Sequence, residues 1–273
     1  MKTAILGLGI IGSEWAKNLA ADGVPLKTWN RTAKADAPGF TADAADAARD
    51  AELVVIVVAD PPAVQNVLDQ ILPVLKPGQL VAQASTVSAE WNLKFAAQVE
   101  KAGAAFLEIP FTGSKLAAVD RKTVFYVGGD EKLLAKAEPT LARISMVRLH
   151  VGPLGSAASL KLAMNMNIAL LLEGLEESLS FARAAGISDA TYFEALKANA
   201  GRSPMSDLKE PKLRAGDYAP QFSLKHMDKD LRLALESAGK LPLPQLRGLK
   251  KLYSEGMAKG WGDEDFSTLM KLL

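Results

Sequence analysis

The sequence predicts an α/β fold in its N-terminal half, an all-α fold in its C-terminal half, and one long helix that joins them. Short apolar runs of strand type alternate with helical segments up to about residue 150, as in a parallel sheet covered by helices. From residue 155 onward, every periodic segment has the spacing of a helix. The 273 residues are enough for two domains, which we predict at residues 1–155 and 156–273.

The composition argues against several classes of function. Apolar residues make up 49% of the chain, and a net charge of +1 gives no reason to expect binding to nucleic acid or to a membrane. Cysteine is absent and the only histidines are His150 and His226, so we expect neither thiolate chemistry nor a bound metal. The strand pattern begins at residue 2 without an apolar or basic leader, which predicts a cytoplasmic protein.

A glycine-rich segment follows the first strand pattern, at residues 3–6, and precedes a helical pattern at residues 13–22. It consists of Gly7, Leu8, Gly9, Ile10, Ile11 and Gly12. In this context the three glycines serve a tight turn, the close approach of a pyrophosphate, and close packing of helix on strand. The helix N-terminus also offers N–H groups to phosphates. We therefore predict a Rossmann dinucleotide-binding domain, with a ligand-free glycine turn as the alternative.

The second strand pattern, residues 25–29, ends at Asn30, Arg31 and Thr32. Sites for NAD usually have an acidic residue here, about 20 residues after the glycines, to hold the ribose hydroxyls. This sequence instead offers a guanidinium and neutral donors, which suit a 2′-phosphate. The segment therefore favours NADP over NAD, unless the arginine is only a solvated loop residue.

The alternation of strands and helices continues through the first half. Helices are predicted at residues 42–49, 61–75, 89–102 and 131–144, and strands at residues 53–58, 80–84, 105–108, 123–127 and 146–151. The carboxyl ends of parallel strands face the ligand crevice, so we expect Ala59, Asp60, Ser85 and Thr86 near the cofactor. Thr112, Gly113 and Ser114 form either a simple turn or a nest of N–H groups for an anion such as a carboxylate.

Residues 155–186 predict one helix about 45 Å long, because they contain no proline and are rich in Ala, Leu, Met, Glu and Lys. Lys161 and Asn165 are four residues apart and project from one face. A lysine among so many apolar residues needs a partner or a task, unless its amine extends to solvent. The uncharged run, residues 162–172, is shorter than the ~20 residues that a membrane span needs.

The remaining segments are helical. We predict helices at residues 188–198 and 222–235, one from residues 242–244 and one after residue 263, whereas residues 209–217 are mixed and turn-rich. In the second of these helices, Lys225 with Lys229 and His226 with Asp230 have i,i+4 spacing, which a solvated charged face would also show. The apolar long helix predicts a homodimer or homotetramer, because so small a helical domain leaves faces uncovered.

Seven segments of the chain resemble the β-hydroxyacid dehydrogenase family, and within it the glyoxylate/succinic semialdehyde reductase branch. They are GLGIIG, WNRT, ADPPAV, STVS, EIPFTGS, GSAASLKLAMN and FSLKHMDKDLRLAL, in order along nearly the whole chain. The resemblance implies NADPH-dependent, reversible reduction of small aldehyde or keto acids, such as glyoxylate or succinic semialdehyde, to hydroxy acids.

The resemblance also implies a role for each matching residue. Lys161 would donate a proton to the carbonyl oxygen while hydride arrives from the nicotinamide, and Asn165 would orient the substrate. The substrate would be held by Thr112, Gly113, Ser114, Phe222 and Asp230. Cofactor contacts are expected at Gly7, Leu8, Gly9, Ile10, Ile11, Gly12, Asn30, Arg31, Thr32, Ala59, Asp60, Val64, Thr86 and Lys229.

Four positions depart from the family pattern. Ala157 and Arg121 stand where glycine is usual, and the Phe111-Thr112 pair stands where valine and serine are common. These changes leave the mechanism intact and bear on the size and identity of the substrate. Two alternatives remain: an imine reductase of similar fold and cofactor, and a non-catalytic NADP-binding module. Imine reductases typically lack the lysine and such modules lose it, whereas this chain keeps Lys161, which counts against both.

Overall fold

The structure, a computed structural model, describes residues 1–273 and divides into two compact units, Met1–Lys161 and Leu162–Leu273. Helix α7 (Ser156–Ala184) begins in the first unit and continues in the second. The predicted α/β class with an all-α C-terminal region is confirmed, whereas the domain boundary between residues 155 and 156 stays a prediction. No helix combines the length and the apolar character needed to cross a lipid bilayer.

The first unit contains an eight-stranded sheet and six complete helices. The strands are β1 (Thr3–Leu6), β2 (Leu26–Trp29), β3 (Leu53–Ile56), β4 (Leu80–Gln83), β5 (Ala105–Glu108), β6 (Phe111–Thr112), β7 (Thr123–Gly128) and β8 (Ser145–Gly152). The helices are α1 (Ile10–Ala21), α2 (Ala44–Ala48), α3 (Pro61–Ile71), α4 (Ala89–Lys101), α5 (Lys115–Val119) and α6 (Glu131–Leu141).

The sheet has the strand order β2-β1-β3-β4-β5-β7-β6, and β8 also pairs with β7. The first five strands in this order are parallel. Strand β7 runs antiparallel to β5, and Glu108 of β5 pairs with Gly128 of β7. Strand β1 lies between β2 and β3. The connection from β1 to β2 therefore runs to one side of β1, and the connection from β2 to β3 crosses to its other side. Ligands of open α/β sheets bind at such a switch point, and the glycine-rich segment follows β1 there.

The central strands β1, β3 and β4 are buried on both faces, and their successive side chains point to opposite faces. Ala4 and Leu6 pack in one hydrophobic cluster with α2, α3 and α4, while Ile5 packs in a second cluster with α1 and α6. Every residue of β3 is fully buried, which explains its continuous apolar run.

Helix α1 begins at Ile10, so the predicted start at residue 13 was wrong. Gly9 is the N-cap with an extended backbone, and the helix takes up the rest of the glycine motif. Ile10 and Ile11 belong to the glycine motif, which the sequence analysis treated as a loop, but they form the first turn of α1. The first free N–H groups of α1 therefore belong to the motif itself.

The second unit consists of the later turns of α7 with α8 (Asp189–Lys197), α9 (Pro204–Ala215), α10 (Leu224–Ser237), α11 (Pro244–Ala258) and a 3₁₀ segment, Phe266–Leu272. The prediction of a turn-rich segment at residues 209–217 was wrong, since α9 occupies most of it. Ser203 and Ser206 form a reciprocal capping box at its start. Pro211 removes one amide donor inside the helix, but Lys209 and Leu213 are buried and hold its inner face.

Candidate active site

The glycine-rich segment has no room for side chains at two of its three glycines. Gly7 has φ +115°, and a Cβ there would lie 2.1 Å from the Val57 carbonyl oxygen; at Gly12 it would lie 2.0 Å from the Gly7 oxygen. At Gly9, by contrast, a Cβ would meet nothing within 4 Å. Gly9 thus opens the backbone to a ligand rather than to the protein, which fits the approach of a pyrophosphate.

Asn30 connects the end of β2 to the glycine-rich segment. Its Oδ1 accepts the Leu8 N–H at 2.9 Å, and its Nδ2 donates to the Thr32 oxygen at 2.8 Å. Lys34, which the sequence analysis missed, donates from Nζ to the Leu8 oxygen at 2.6 Å. Arg31 is exposed beside them, so two cations flank the position of the ribose in such sites.

The ends of β3 and β4 lie side by side in the sheet, as predicted. The Val58 N–H donates to Ser85 Oγ at 2.8 Å, and Ala59 follows as an exposed residue. Asp60 caps α3, because its Oδ1 accepts the Ala63 N–H at 2.9 Å. Thr86 is half-buried, whereas Val64 is fully buried in the core beneath α3. Of these residues, Ala59 offers the most accessible backbone to a cofactor.

Residues 112–114 leave the sheet between β6 and α5. Thr112 pairs with Val124, Gly113 has φ +135°, and Ser114 is the N-cap residue of α5. The Ser114 hydroxyl makes no capping bond to α5, so it is not committed to holding the helix. The exposed glycine lies between two hydroxyl residues, and a carboxylate site at this segment stays a prediction.

Helix α7 carries Lys161 and Asn165 as buried polar residues, 9% and 4% exposed. The Lys161 side chain therefore does not extend freely into solvent. In the second unit, Asn165 Nδ2 donates to Asp230 Oδ2 at 2.6 Å. Asp230 is 1% exposed, so it does not belong to a solvated face, unlike Lys225, which is half-exposed and pairs with Asp263.

Of the other predicted residues in and before α10, Lys229 contacts Asp230, whereas Phe222 packs against other aromatic rings. Lys229 Nζ lies 3.0 Å from Asp230 Oδ1 and its side chain is 14% exposed. Phe222 stacks on His226 with a centroid distance of 6.0 Å and meets Phe266 edge-on. The second unit thus brings Asn165, Lys229 and Asp230 together through one hydrogen bond and one ion pair. The predicted cofactor residues other than Lys229 all belong to the first unit.

Two family descriptions match the chain almost end to end. The NAD-binding domain of 6-phosphogluconate dehydrogenase matches residues 2–152, and the NAD-binding region of NADP-dependent 3-hydroxyisobutyrate dehydrogenase matches residues 155–273. Together with the glycine-rich segment, these matches confirm a nicotinamide dinucleotide as the cofactor.

Individual relatives agree over the full length. Glyoxylate/succinic semialdehyde reductase 1 of Arabidopsis thaliana is 29% identical and covers 99% of this chain and 98% of its own. Reductase 2 of the same plant, a chloroplastic protein, is also 29% identical, over 98% of this chain and 78% of its own. The solved 3-hydroxyisobutyrate dehydrogenase of Mycobacterium tuberculosis has a TM-score of 0.90 and 25% identity, covering 100% of this chain and 99% of the other. The chain therefore belongs to the β-hydroxyacid dehydrogenase family of NAD(P)-dependent oxidoreductases.

Proposed function

We propose that this enzyme uses NADPH to reduce small aldehyde or keto acids, such as glyoxylate and succinic semialdehyde, to hydroxy acids, with Lys161 as the proton donor. The observation that carries the proposal is the pair of buried polar residues on α7, with the amide of Asn165 held by the buried carboxylate of Asp230. The names of the two Arabidopsis relatives support this substrate class, and the Mycobacterium enzyme was solved with L-serine, a small hydroxy acid.

The chemistry follows from the residue types. The bound nicotinamide supplies the hydride. As hydride reaches the carbonyl carbon, negative charge develops on its oxygen, and the Lys161 ammonium stabilises that charge and donates a proton. The hydrogen bond to Asp230 fixes the Asn165 amide, which orients the substrate. Residues 112–114 offer N–H and hydroxyl groups to the substrate carboxylate.

The preference for NADP over NAD is part of the proposal. Arg31 and Lys34 lie on the loop after β2, and no acidic residue occupies the ribose-binding position. A guanidinium can bind a phosphate through two parallel hydrogen bonds, and the nearby ammonium adds charge. Lys229 is proposed to contact the cofactor from α10.

A lysine series tests the role of the amine. Lys161→Ala is expected to lower kcat by about 10²–10⁴-fold, the usual contribution of a general acid. Lys161→Arg keeps the charge but cannot release a proton near neutral pH, so it separates electrostatic stabilisation from proton donation. The matched control is Lys17→Ala on α1, whose side chain is 61% exposed. Full activity in Lys161→Ala would refute the proposal.

A substrate panel with NADPH and with NADH tests the rest. Turnover of glyoxylate or succinic semialdehyde, faster with NADPH, is the expected result. Reduction of a cyclic imine without reduction of the acids would instead identify an imine reductase. Binding of NADPH without turnover of any compound would indicate a non-catalytic module.

A further inference from the structure

A hydrogen-bonded network of buried polar side chains lies along the carboxyl edge of the sheet in the first unit. Its members are Gln83, Ser85, Asn92 and Glu108, each at most 2% exposed. Gln83 Nε2 donates to Asn92 Oδ1 at 2.8 Å, and the Ser85 N–H donates to Gln83 Oε1. Ser85 Oγ in turn accepts the Val58 N–H. One end of this network therefore lies at the end of β3, where the cofactor is expected.

The other end of this network contacts the start of α7. Asn92 Nδ2 donates to Glu108 Oε2 at 2.5 Å, and the Ala157 N–H donates to Glu108 Oε1 at 2.8 Å. The amides of Gly155 and Ala158 also face this carboxyl group. Ala157 is the second residue of α7, so its N–H is one of the four that a helix leaves without a partner. Both oxygens accept N–H bonds, which stabilise the ionised form, whereas burial raises the pKa of this carboxyl group.

The position of Glu108 is fixed from the side as well. Gly128 is its register partner in β7, and a Cβ on Gly128 would lie only 2.2 Å from Glu108 Oε1. Any larger residue there would displace the carboxylate. Because residue 128 has no side chain, the Glu108 carboxyl group has room to lie against the N-terminus of α7, which carries a partial positive charge.

We propose that Glu108 is a positioning residue for Lys161: its carboxylate, oriented by Asn92 and Gln83, fixes the first turn of α7. Ala157 lies four residues, about one helical turn, before Lys161 on the same face. A displacement of the Ala157 backbone amide would therefore also displace the Lys161 amine. This inference rests on the proposed role of Lys161.

A purely structural role for the network is the competing explanation, and a set of variants separates the two. In Glu108→Gln, the amide keeps a single acceptor oxygen, so its NH2 group must face either the Asn92 donor or the Ala157 N–H, and one of the two bonds is lost without loss of volume. The double variant Asn92→Asp with Glu108→Gln reverses the bond between positions 92 and 108, and the carboxylate introduced at position 92 still accepts from Gln83. The matched control is Gln79→Ala at the opposite end of β4, where a 7% exposed amide donates to two backbone oxygens.

The readouts are kcat, KM for NADPH, and hydrogen exchange of the amides of residues 157–161. For Glu108→Gln we expect faster exchange and a kcat lower by about 10- to 100-fold, the loss that a displacement near 1 Å can cause, with KM for NADPH unchanged. The double variant should recover most of kcat. Gln79→Ala should lose stability but keep kcat. If Glu108→Gln does not fold, Asn92→Ala provides the same comparison.

Three results would overturn the inference. Unchanged exchange in Glu108→Gln would show that the carboxylate does not order α7. Unchanged kcat in this variant, while Lys161→Ala is inactive, would refute the role of Glu108 alone. An active Lys161→Ala would overturn the proposed function, and the role of Glu108 with it.

Discussion

Replacing Lys209 by methionine should destabilise the second unit by about 3 kcal/mol, because it leaves a buried charge without its partner. Lys209 Nζ donates to Asp265 Oδ1 at 2.6 Å, and the two side chains are 1% and 0% exposed. Removing one member of such a pair costs about 3–5 kcal/mol. We expect the lower end, since Asp265 keeps hydrogen bonds from Gln221, Phe222 and Ser267.

Urea and thermal unfolding measure this loss. A loss of about 3 kcal/mol corresponds to a Tm lower by about 10 °C in a unit of this size. The double variant Lys209→Met with Asp265→Asn should recover a large part of the loss, since neither charge is then buried alone. Lys225→Met is the matched control: its partner is Asp263, the two side chains are 48% and 89% exposed, and no measurable change is expected.

The result that would refute this reasoning is a Lys209→Met protein with a free energy of unfolding within about 1 kcal/mol of the parent. A pH titration gives an independent check. Burial alone would raise the pKa of Asp265, but the Lys209 ammonium and the donated hydrogen bonds hold it below 3.8. The stability that Asp265 contributes is therefore present above pH 3.8 and is lost as the pH falls below it.

Four further predictions concern the cofactor, the fold and the assembly. Arg31→Ala and Lys34→Ala should each raise KM for NADPH and leave KM for NADH unchanged, as steady-state kinetics would show; equal effects on both would contradict the 2′-phosphate assignment. Gly9→Val should weaken NADPH binding without lowering Tm, because its side chain fills open space, and a loss of Tm would show that the space is not open. Burial raises the pKa of Glu173 from 4.5 to about 7 and also raises that of Glu176, so the free energy of unfolding should fall as pH rises from 4.5 to 7, and Glu176→Leu should reduce the slope. Gel filtration should give a homodimer or homotetramer rather than a 29.0 kDa monomer.

The features predictable from the sequence are those with a local cause. The pattern of apolar residues predicts every strand of the sheet except the two-residue β6, and β5 spans the predicted residues 105–108. The glycine pattern predicts the turn after β1 because the motif itself is local: a Cβ at Gly12 would meet the Gly7 oxygen, although the atom that excludes a side chain at Gly7 is the distant Val57 oxygen. Where the local signal competed with tertiary packing, the prediction failed: residues 209–217 were expected to be turn-rich, but burial of Lys209 and Leu213 keeps α9 helical through Pro211.

The supporting residues of the candidate site were not predictable in this way. Glu108 is the last residue of a short strand, and its partners Asn92 and Ala157 are 16 and 49 residues distant in sequence. Lys34 meets the Leu8 oxygen across 26 residues. A single sequence contains no period or motif that connects such positions, because these hydrogen bonds depend on the order of strands in the sheet.

Arg121 shows how a departure from the family pattern can be accommodated. It is the only residue other than glycine with a positive φ, +59°, at the turn between α5 and β7. Glycine would adopt this backbone without strain, whereas arginine adds a side chain that can bond elsewhere. Its guanidinium donates two bonds to Asp22 at the end of α1, at 2.6 and 2.8 Å, and one to the Arg143 oxygen. The strained turn is thereby tied to α1, whose first turn carries the glycine motif. In this chain the side-chain bonds of Arg121 offset the cost of its positive φ, so the turn between α5 and β7 keeps a conformation that glycine would adopt without strain.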